Sequence, residues 1–169
     1  MIFVLDSLVN GLIEVLNQEA GLYGQILEIS KGKTDIIIKG RVSELEKVVK
    51  LEQSLVLQIG KLEDSREDMT AKLSDKLGLK LPQVTLTGLA KSLQSDQANK
   101  LKVVREDIGK IMIELRDTNK LNSKLIKNSL EYIDFSLNLM AVAGTTSNNY
   151  GSSGRMNDLK KRNFFDLKL

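Results

Sequence analysis

The sequence predicts an all-α protein: an elongated antiparallel bundle, or coiled coil, of three long helices and one short helix, followed by a flexible C-terminal tail. The first observation is composition, because Leu, Lys, Glu, Ile and Ser dominate and the 169 residues include one proline and seven aromatic residues, as is typical of long helices. The second is that apolar residues recur every three or four positions through most of residues 1–142, the spacing of amphipathic helices. The third is that this spacing is clearly broken at one point, around Pro82.

The first helix is expected to begin near Ile2 and to carry an apolar stripe as far as Ile29. Three glycines interrupt this helix: Gly11, Gly21 and Gly24. Each glycine costs about 1 kcal/mol inside a helix, so we expect a neighbouring helix to approach closely there, or the helix to bend near Gly21. Over residues 31–40 the helix either frays or continues through the isoleucine run at 36–38, because a lone strand would have no partner.

The second helix is expected to begin at Ser43, an N-cap residue with Glu46 three positions further on, which is the capping-box pattern. It should end before Gly78, a glycine suited to a C-terminal cap. Two positions in its apolar seam are charged, Glu52 and Arg66. Charged residues at such positions usually fix the register of helix pairing at some loss of stability, and we interpret both residues in this way.

The segment around Pro82 is the clear connection between long elements, because proline disfavours helical geometry at the residue before it. A short helix over residues 88–94 can follow, with Thr87 or Thr85 as its cap. Ser95, together with the aspartate after it, then caps the last helix.

The last long helix is the element around which the chain is organised. It is expected to cover residues 95–142, about 48 residues or roughly 70 Å, which is too long to be stable without a partner. Its final third carries two apolar stripes. One contains Leu125, Tyr132 and Leu139, and the other contains Ile126, Leu130, Ile133, Leu137 and Met140. A helix that is apolar on two faces is buried on two sides, so we expect an external helix to cover part of this surface.

The chain is expected to divide into a helical bundle domain, residues 1–143, and a flexible tail, residues 144–169. The tail opens with a linker rich in Gly, Ser and Asn, and its five basic and two acidic residues account for the net charge of +3. Its aromatic residues are Tyr150, Phe164 and Phe165. Two roles stay open for them: a docking motif that orders on a partner, or a staple that folds back onto the bundle.

The residues do not support catalysis, a metal site or a cofactor. The chain has no histidine and no cysteine, so it lacks the commonest general base and the thiolate metal ligands. Neither a glycine-rich phosphate loop nor EF-hand spacing occurs. An acidic cluster is interpreted as a solvated helix face: Glu63, Asp64, Glu67 and Asp68. We therefore expect no enzyme activity, no metal and no cofactor.

The distribution of charged and apolar residues also limits the partners and the compartment. The charges of residues 1–143 balance, so no basic face is large enough for nucleic acid. The N-terminal segment lacks a basic flank and contains Asp6 and Glu14, unlike a signal peptide, and no run of about 18 apolar residues could span a membrane. We expect a cytoplasmic protein without membrane insertion.

Two amides, Asn119 and Asn122, share one face of the last helix just before Leu125 and Ile126. Buried amides need hydrogen-bond partners. A register-fixing network would supply them from one of three residues: Glu19, Glu52 or Gln53. The alternative is that the two amides lie at the edge of a groove and donate hydrogen bonds to the backbone of a client protein.

The order and spacing of nine residues, given below, resemble the pattern of the flagellar export chaperones of the FlgN type. That family has an early Glu-x-x-x-Tyr, a Glu-Gln pair on the second helix, an Arg a few turns later and a late Asn-x-x-Asn-x-x-Leu-Ile. The corresponding residues here are Glu19, Tyr23, Glu52, Gln53, Arg66, Asn119, Asn122, Leu125 and Ile126. The match runs through residues 1–142, and the tail lies outside it.

The resemblance implies a cytoplasmic chaperone of the flagellar type III secretion system. Its clients would be the hook-associated proteins of the hook–filament junction, whose disordered terminal segments it would hold and protect from premature assembly. It also implies escort to the export gate through an export-apparatus membrane protein or the ATPase complex, a step in which a C-terminal aromatic residue of the family can take part. The candidates for that docking are Tyr150, Phe164 and Phe165.

The residues themselves support the same mechanism, because surplus apolar surface on the last helix can accept an amphipathic client helix by helix-in-groove recognition. The expected client-binding residues are Asn119, Asn122, Ile126, Leu130, Ile133, Leu137 and Met140. The competing hypothesis is a structural coiled-coil scaffold that covers this surface by self-association, for example as a homodimer.

Overall fold

The computed structural model describes residues 2–78 and 85–147, with side chains described for residues 5–78 and 85–142. The helices are α1, Ile2–Ile38; α2, Val42–Leu77; α3, Leu86–Lys91; and α4, Ser95–Ser147. The described ranges contain no strand. The predicted all-α helical bundle is confirmed.

The chain falls into two compact units, Met1–Ser129 and Leu130–Leu169. The first unit contains α1, α2, α3 and the first part of α4, and is called the bundle below. In the second unit the structure describes the end of α4, residues 130–147, called the α4 end segment. Because α4 runs to Ser147, residues 144–147 are helical although the sequence predicted a linker there. The tail aromatics lie outside the described residues: Tyr150, Phe164 and Phe165.

A tight turn joins α1 to α2. Gly40 has φ +63°, in the left-handed region that glycine adopts without strain, and its amide donates to the Ile37 carbonyl at 3.0 Å. The Arg41 amide donates to the Ile36 carbonyl at 3.1 Å. These bonds use carbonyls of the last turn of α1, so α1 continues through the isoleucine run to Ile38, two residues before the glycine.

The helix ends test the predicted caps. The prediction that Ser43 caps α2 is wrong: Arg41 holds the N-cap position without a side-chain capping hydrogen bond, because the turn already directs its carbonyl to the Leu45 amide at 3.0 Å. The Gly78 cap is confirmed, with φ +65° at the end of α2. The Thr85 cap of α3 is confirmed as well, since its side chain accepts a hydrogen bond of 3.1 Å from the amide three residues on.

The α1–α2 pair is antiparallel. The Met69 side chain lies beside Gly11 near one end of the pair, and Lys33 pairs with Glu52 near the other. α4 runs parallel to α1, because the Gln97 amide donates to the Asp6 carboxylate and Asn122 donates to Ser30 further along both helices. The long helices of the bundle therefore run up, down and up.

Only the first of the α1 glycines behaves as expected. A Cβ at Gly11 would lie 3.4 Å from the Met69 Cε atom, so α2 packs directly against it. Nothing lies within 4 Å of the corresponding positions at Gly21 and Gly24, so the predicted close approach of a neighbouring helix is wrong at these two residues.

Two apolar clusters form the core of the bundle. The first is made by all four helices: Val9, Leu12, Leu16, Leu73, Leu89, Leu101 and Val104. The second is made by α1, α2 and α4: Ile26, Leu27, Leu55, Ile59 and Leu115. Glu19 on α1 and Arg66 on α2 come between the two clusters along their helices. The core is thus apolar at two levels and charged between them.

Candidate functional site

A buried polar network joins α4 to α1. The Asn122 side chain is 2% exposed, its amide nitrogen donates to the Ser30 carbonyl at 2.8 Å, and its amide oxygen accepts from the Thr34 hydroxyl at 2.7 Å. The Asn119 amide oxygen accepts from the Ser30 hydroxyl at 2.6 Å. Both asparagines therefore fix the register of the two parallel helices.

This network corrects two expectations about the asparagines. Their partners are Ser30 and Thr34, not the residues expected from sequence: Glu19, Glu52 or Gln53. In the free protein the Asn122 amide is also already engaged, so it is not a free donor for a client's backbone. Asn119 is exposed, and its amide oxygen is the atom used in the network.

The charged seam position Glu52 pairs with α1. The Lys33 ammonium lies 2.7 Å from both Glu52 carboxylate oxygens, and the two side chains are only 13% and 16% exposed. An ion pair this well shielded breaks at a considerable cost when one partner is removed. Glu52 thus acts as the predicted register-fixing residue between α1 and α2.

The second charged seam position, Arg66, faces a buried carboxylate. The Glu19 side chain is 3% exposed, and its Oε1 atom lies 3.5 Å from the Arg66 Nε atom without a hydrogen bond. Arg66 also contacts Glu63 at 3.6 Å. Burial raises the pKa of Glu19, Arg66 opposes this, and the Glu63 charge adds to it. Burial likewise raises the pKa of the neighbouring Tyr23 hydroxyl.

The raised pKa of Glu19 predicts a pH-dependent contribution to stability. Below its ordinary pKa of 4.5 the carboxyl group is neutral in folded and unfolded chains alike. As the pH rises from there through the raised folded pKa, the unfolded chain releases its proton more readily, so the free energy of unfolding falls. Glu19→Gln keeps the shape and removes this titration, so we expect wild type to match the variant in acid and to become progressively less stable than it towards neutral pH.

Urea unfolding of both proteins between pH 4 and pH 8 measures this difference. Glu63→Gln, at an exposed position beside Arg66, is the matched control. Its free energy of unfolding should differ less from that of wild type. A gap between wild type and Glu19→Gln that widens towards acid pH would contradict the assignment.

Two cavities have both α2 and α4 in their walls. The first is about 320 Å³ in volume and is lined by Lys33, Leu45, Val49, Asn119, Asn122, Ser123 and Ile126. The second is about 190 Å³ and is lined by Leu16, Glu19, Tyr23, Glu63, Arg66, Leu86, Arg105, Ile108 and Met112. Most residues of the FlgN-type pattern therefore line one or the other of these cavities.

The α4 end segment displays apolar side chains on two opposite sides. One side, the Leu130 face, contains Leu130, Ile133, Leu137 and Met140, which are 46% to 70% exposed. The other, the Tyr132 face, contains Tyr132, Phe135, Leu139 and Val142, which are 59% to 72% exposed. Spacings of three and four residues keep each set on one side. The expected surplus of apolar surface is thus present, and Ile126 in the bundle is also exposed, at 38%.

An apolar stripe on α2 is a feature that the sequence reasoning missed. Val42, Val49 and Val56 are 65%, 38% and 57% exposed. They are seven residues apart and so lie on one side of the helix. The residues expected to form the α2 seam include Leu45, Val48 and Leu55, which are less exposed than the three valines. The seven-residue spacing of the three valines could have revealed this stripe from the sequence alone.

The described ranges, residues 2–78 and 85–147, also bear on membrane insertion and metal binding. No helix there combines the length and the apolar character needed to cross a membrane. Among those residues, no group of three or more His, Cys, Asp or Glu side chains is placed to hold a metal ion. The acidic cluster predicted as a solvated face is exposed: Glu63, Asp64, Glu67 and Asp68.

These features define a class of protein. A helical bundle whose buried polar groups serve its own packing, and which exposes a long apolar helix surface, is a module that binds other proteins. The sequence profile of the family described as "FlgN protein" matches residues 1–158. The chain therefore belongs to the FlgN family, a family of flagellar export chaperones rather than of enzymes, and the resemblance found in its motif pattern is confirmed.

A relative in Bacillus subtilis (strain 168), described as the uncharacterized protein YvyG, is similar over nearly the whole chain. The two sequences are 25% identical over 159 residues, which cover 93% of this chain and 96% of the relative. No solved structure matches the chain.

Proposed function

We propose that the protein is a cytoplasmic chaperone of the flagellar type III secretion system that binds the disordered, amphipathic C-terminal segment of a hook-associated protein. It prevents premature assembly of this client and escorts it to the export gate. Family membership supports the general role. The observation that carries the finer proposal is the α4 end segment, where eight large apolar side chains are exposed between residues 130 and 142.

In the proposed mechanism the client segment folds into a helix on the Leu130 face. Burying a leucine-sized side chain contributes about 1.5–3 kcal/mol, and this gain offsets the entropy that the client loses on ordering. Affinity then stays moderate, which suits a complex that must release its client at the gate. The Tyr132 face lies on the opposite side of the helix, so a client that covers both faces must do so with two helical stretches.

Residues of the bundle contribute unequally to the proposed client site. Asn119 and Ile126 are exposed beside the 320 Å³ cavity and stay among the proposed client contacts. Asn122 is left out, because its hydrogen bonds hold α4 against α1.

The escort step is assigned to the tail. Its proposed partners are an export-apparatus membrane protein and the ATPase complex. The proposed docking residues are Tyr150, Phe164 and Phe165. This assignment is supported by the family resemblance and by the presence of aromatic and basic residues together in the tail.

Mixing the purified protein with a full-length hook-associated protein of the same bacterium tests the proposed function. We expect a stable complex on size-exclusion chromatography with the intact client and none with a client that lacks its C-terminal segment. The chain lacking residues 148–169 should form the same complex, because the tail is assigned to the export apparatus. Equal binding of the intact and shortened clients would contradict the proposal.

A self-associating scaffold is the competing function. It is supported by the same exposed helix surface, because two copies of the chain would cover that surface by packing together. Light scattering on the purified protein separates the two. The scaffold predicts a stable oligomer that takes up no client. The chaperone predicts a species that gains the mass of the client when the two are mixed.

A further inference from the structure

The side of the bundle between α2 and α4 is open and carries two cavities. The two cavities of about 320 Å³ and 190 Å³ share α2 and α4 as walls. α1 supplies their floor, with Lys33 in the first and Glu19 and Tyr23 in the second. An open groove between two helices, with a third helix at its base, is the position that the fourth helix occupies in a four-helix bundle. This side is called the α2–α4 groove.

The walls of the groove are apolar where a helix would pack. Val49 and Ile126 line the first cavity and are both 38% exposed, and Met112 lines the second and is 43% exposed. Val42 and Val56 extend the α2 wall by seven residues in each direction from Val49. Apolar residues at this spacing pack against a partner helix.

The α4 rim of the groove is basic. Arg105 lines the second cavity, and Arg116 and Lys120 lie on the same side of α4 by helical spacing, all three exposed. Glu114 falls on the other side of α4, where it pairs with Lys31 of α1 at 3.2 Å. Arg116 contacts the carboxylate of the adjacent Asp117 at 3.1 Å, and Glu63 of α2 lines the second cavity. The excess of positive charge along the α4 rim nevertheless favours a partner of the opposite sign.

We propose that the α2–α4 groove binds an amphipathic helix of a partner protein that carries an acidic flank. Its apolar side packs on Val49, Met112 and Ile126, and its acidic side lies along Arg116 and Lys120. This surface is additional to the client site on the α4 end segment and does not depend on it.

Two synthetic helical peptides of about 18 residues, or five turns, serve as probes. Both carry leucines at three- and four-residue spacing, and one has glutamates along a flank where the other has lysines. Fluorescence anisotropy with the full chain at low salt should show binding of the glutamate peptide and at least tenfold weaker binding of the lysine peptide. Raising the salt should weaken the glutamate peptide's binding, because exposed charges are screened.

Charge reversal separates the groove from general electrostatic attraction. Arg116→Glu combined with Lys120→Glu should weaken binding of the glutamate peptide at least tenfold. The matched control, Lys47→Glu combined with Lys110→Glu, changes the net charge equally at exposed lysines away from the groove and should leave the affinity within twofold. Equal losses in both double variants, or equal binding of both peptides, would overturn the proposal, as would the absence of binding.

Two further sets of variants show where on the protein the peptide binds. Val49→Asp should abolish binding of the glutamate peptide, whereas Leu51→Asp, at an exposed leucine outside the groove walls, should not. Leu130→Asp combined with Leu137→Asp should leave this peptide's affinity unchanged even though it disables the proposed client site. Loss of binding in that variant would place the peptide on the α4 end segment and overturn the groove assignment.

Discussion

Changing Leu130 and Leu137 together to Asp is expected to weaken binding of a hook-associated protein's C-terminal segment at least a hundredfold. Both side chains lie on the Leu130 face, 57% and 46% exposed, so each substitution places a carboxylate where the client's apolar side must pack. Burial of the exposed half of the two leucines contributes about 1.5–3 kcal/mol, and the desolvation of two carboxylates adds a further cost. About 2.8 kcal/mol already corresponds to a hundredfold change in Kd. Titration of a fluorescently labelled client segment measures the effect.

The matched control is Leu51→Asp combined with Leu121→Asp. These leucines are 51% and 49% exposed on the bundle, so the control introduces the same chemistry at the same exposure. Circular dichroism should show wild-type helicity in both double variants, because all four positions face solvent. Similar affinity losses in the two variants would remove the Leu130 face as the client site.

Asn122→Ala is expected to lower the free energy of unfolding by about 2 kcal/mol. The substitution leaves the Ser30 carbonyl and the Thr34 hydroxyl without their Asn122 partners in a position that is 2% exposed, and unpaired buried polar groups carry their full desolvation cost. Urea unfolding monitored by circular dichroism measures the change.

Asn128→Ala is the control for this prediction, because Asn128 lies one and a half turns further along α4 and is exposed. Its cost should stay within about 0.5 kcal/mol. Client affinity of Asn122→Ala, measured where the variant is fully folded, should equal that of wild type. If both alanine variants unfold at the same urea concentration, the network does not fix the helix register.

Features of the fold that depend on neighbouring residues were well predicted. The Gly78 and Thr85 caps follow from local hydrogen bonding, and the register role of Glu52 follows from a charge in an apolar seam. The two-sided apolar character of the α4 end segment was also predictable, since the spacing of residues along one helix determines which share a face. The start of α2 was missed because backbone bonds in the turn at Gly40 replace the expected Ser43 side-chain cap.

Features that depend on how distant helices align were not predictable. The partners of Asn122 are set by the parallel alignment of α4 with α1, which brings residues 88 and 92 positions apart into contact. Gly21 and Gly24 gave no close packing because nothing in the sequence fixes where helices approach each other. The α2–α4 groove was missed for the same reason: its lining residues come from different helices and share a surface only after folding.

Hydrogen–deuterium exchange of the full chain, alone and with a saturating C-terminal segment of a hook-associated protein, tests most directly whether the α4 end segment binds the client. The exposed helix at residues 130–142 should exchange rapidly in the free protein and become at least tenfold slower in the complex, while amides in the core of α1 change little. Unchanged exchange at residues 130–142, with slower exchange confined to another part of the chain, would contradict the proposed client site.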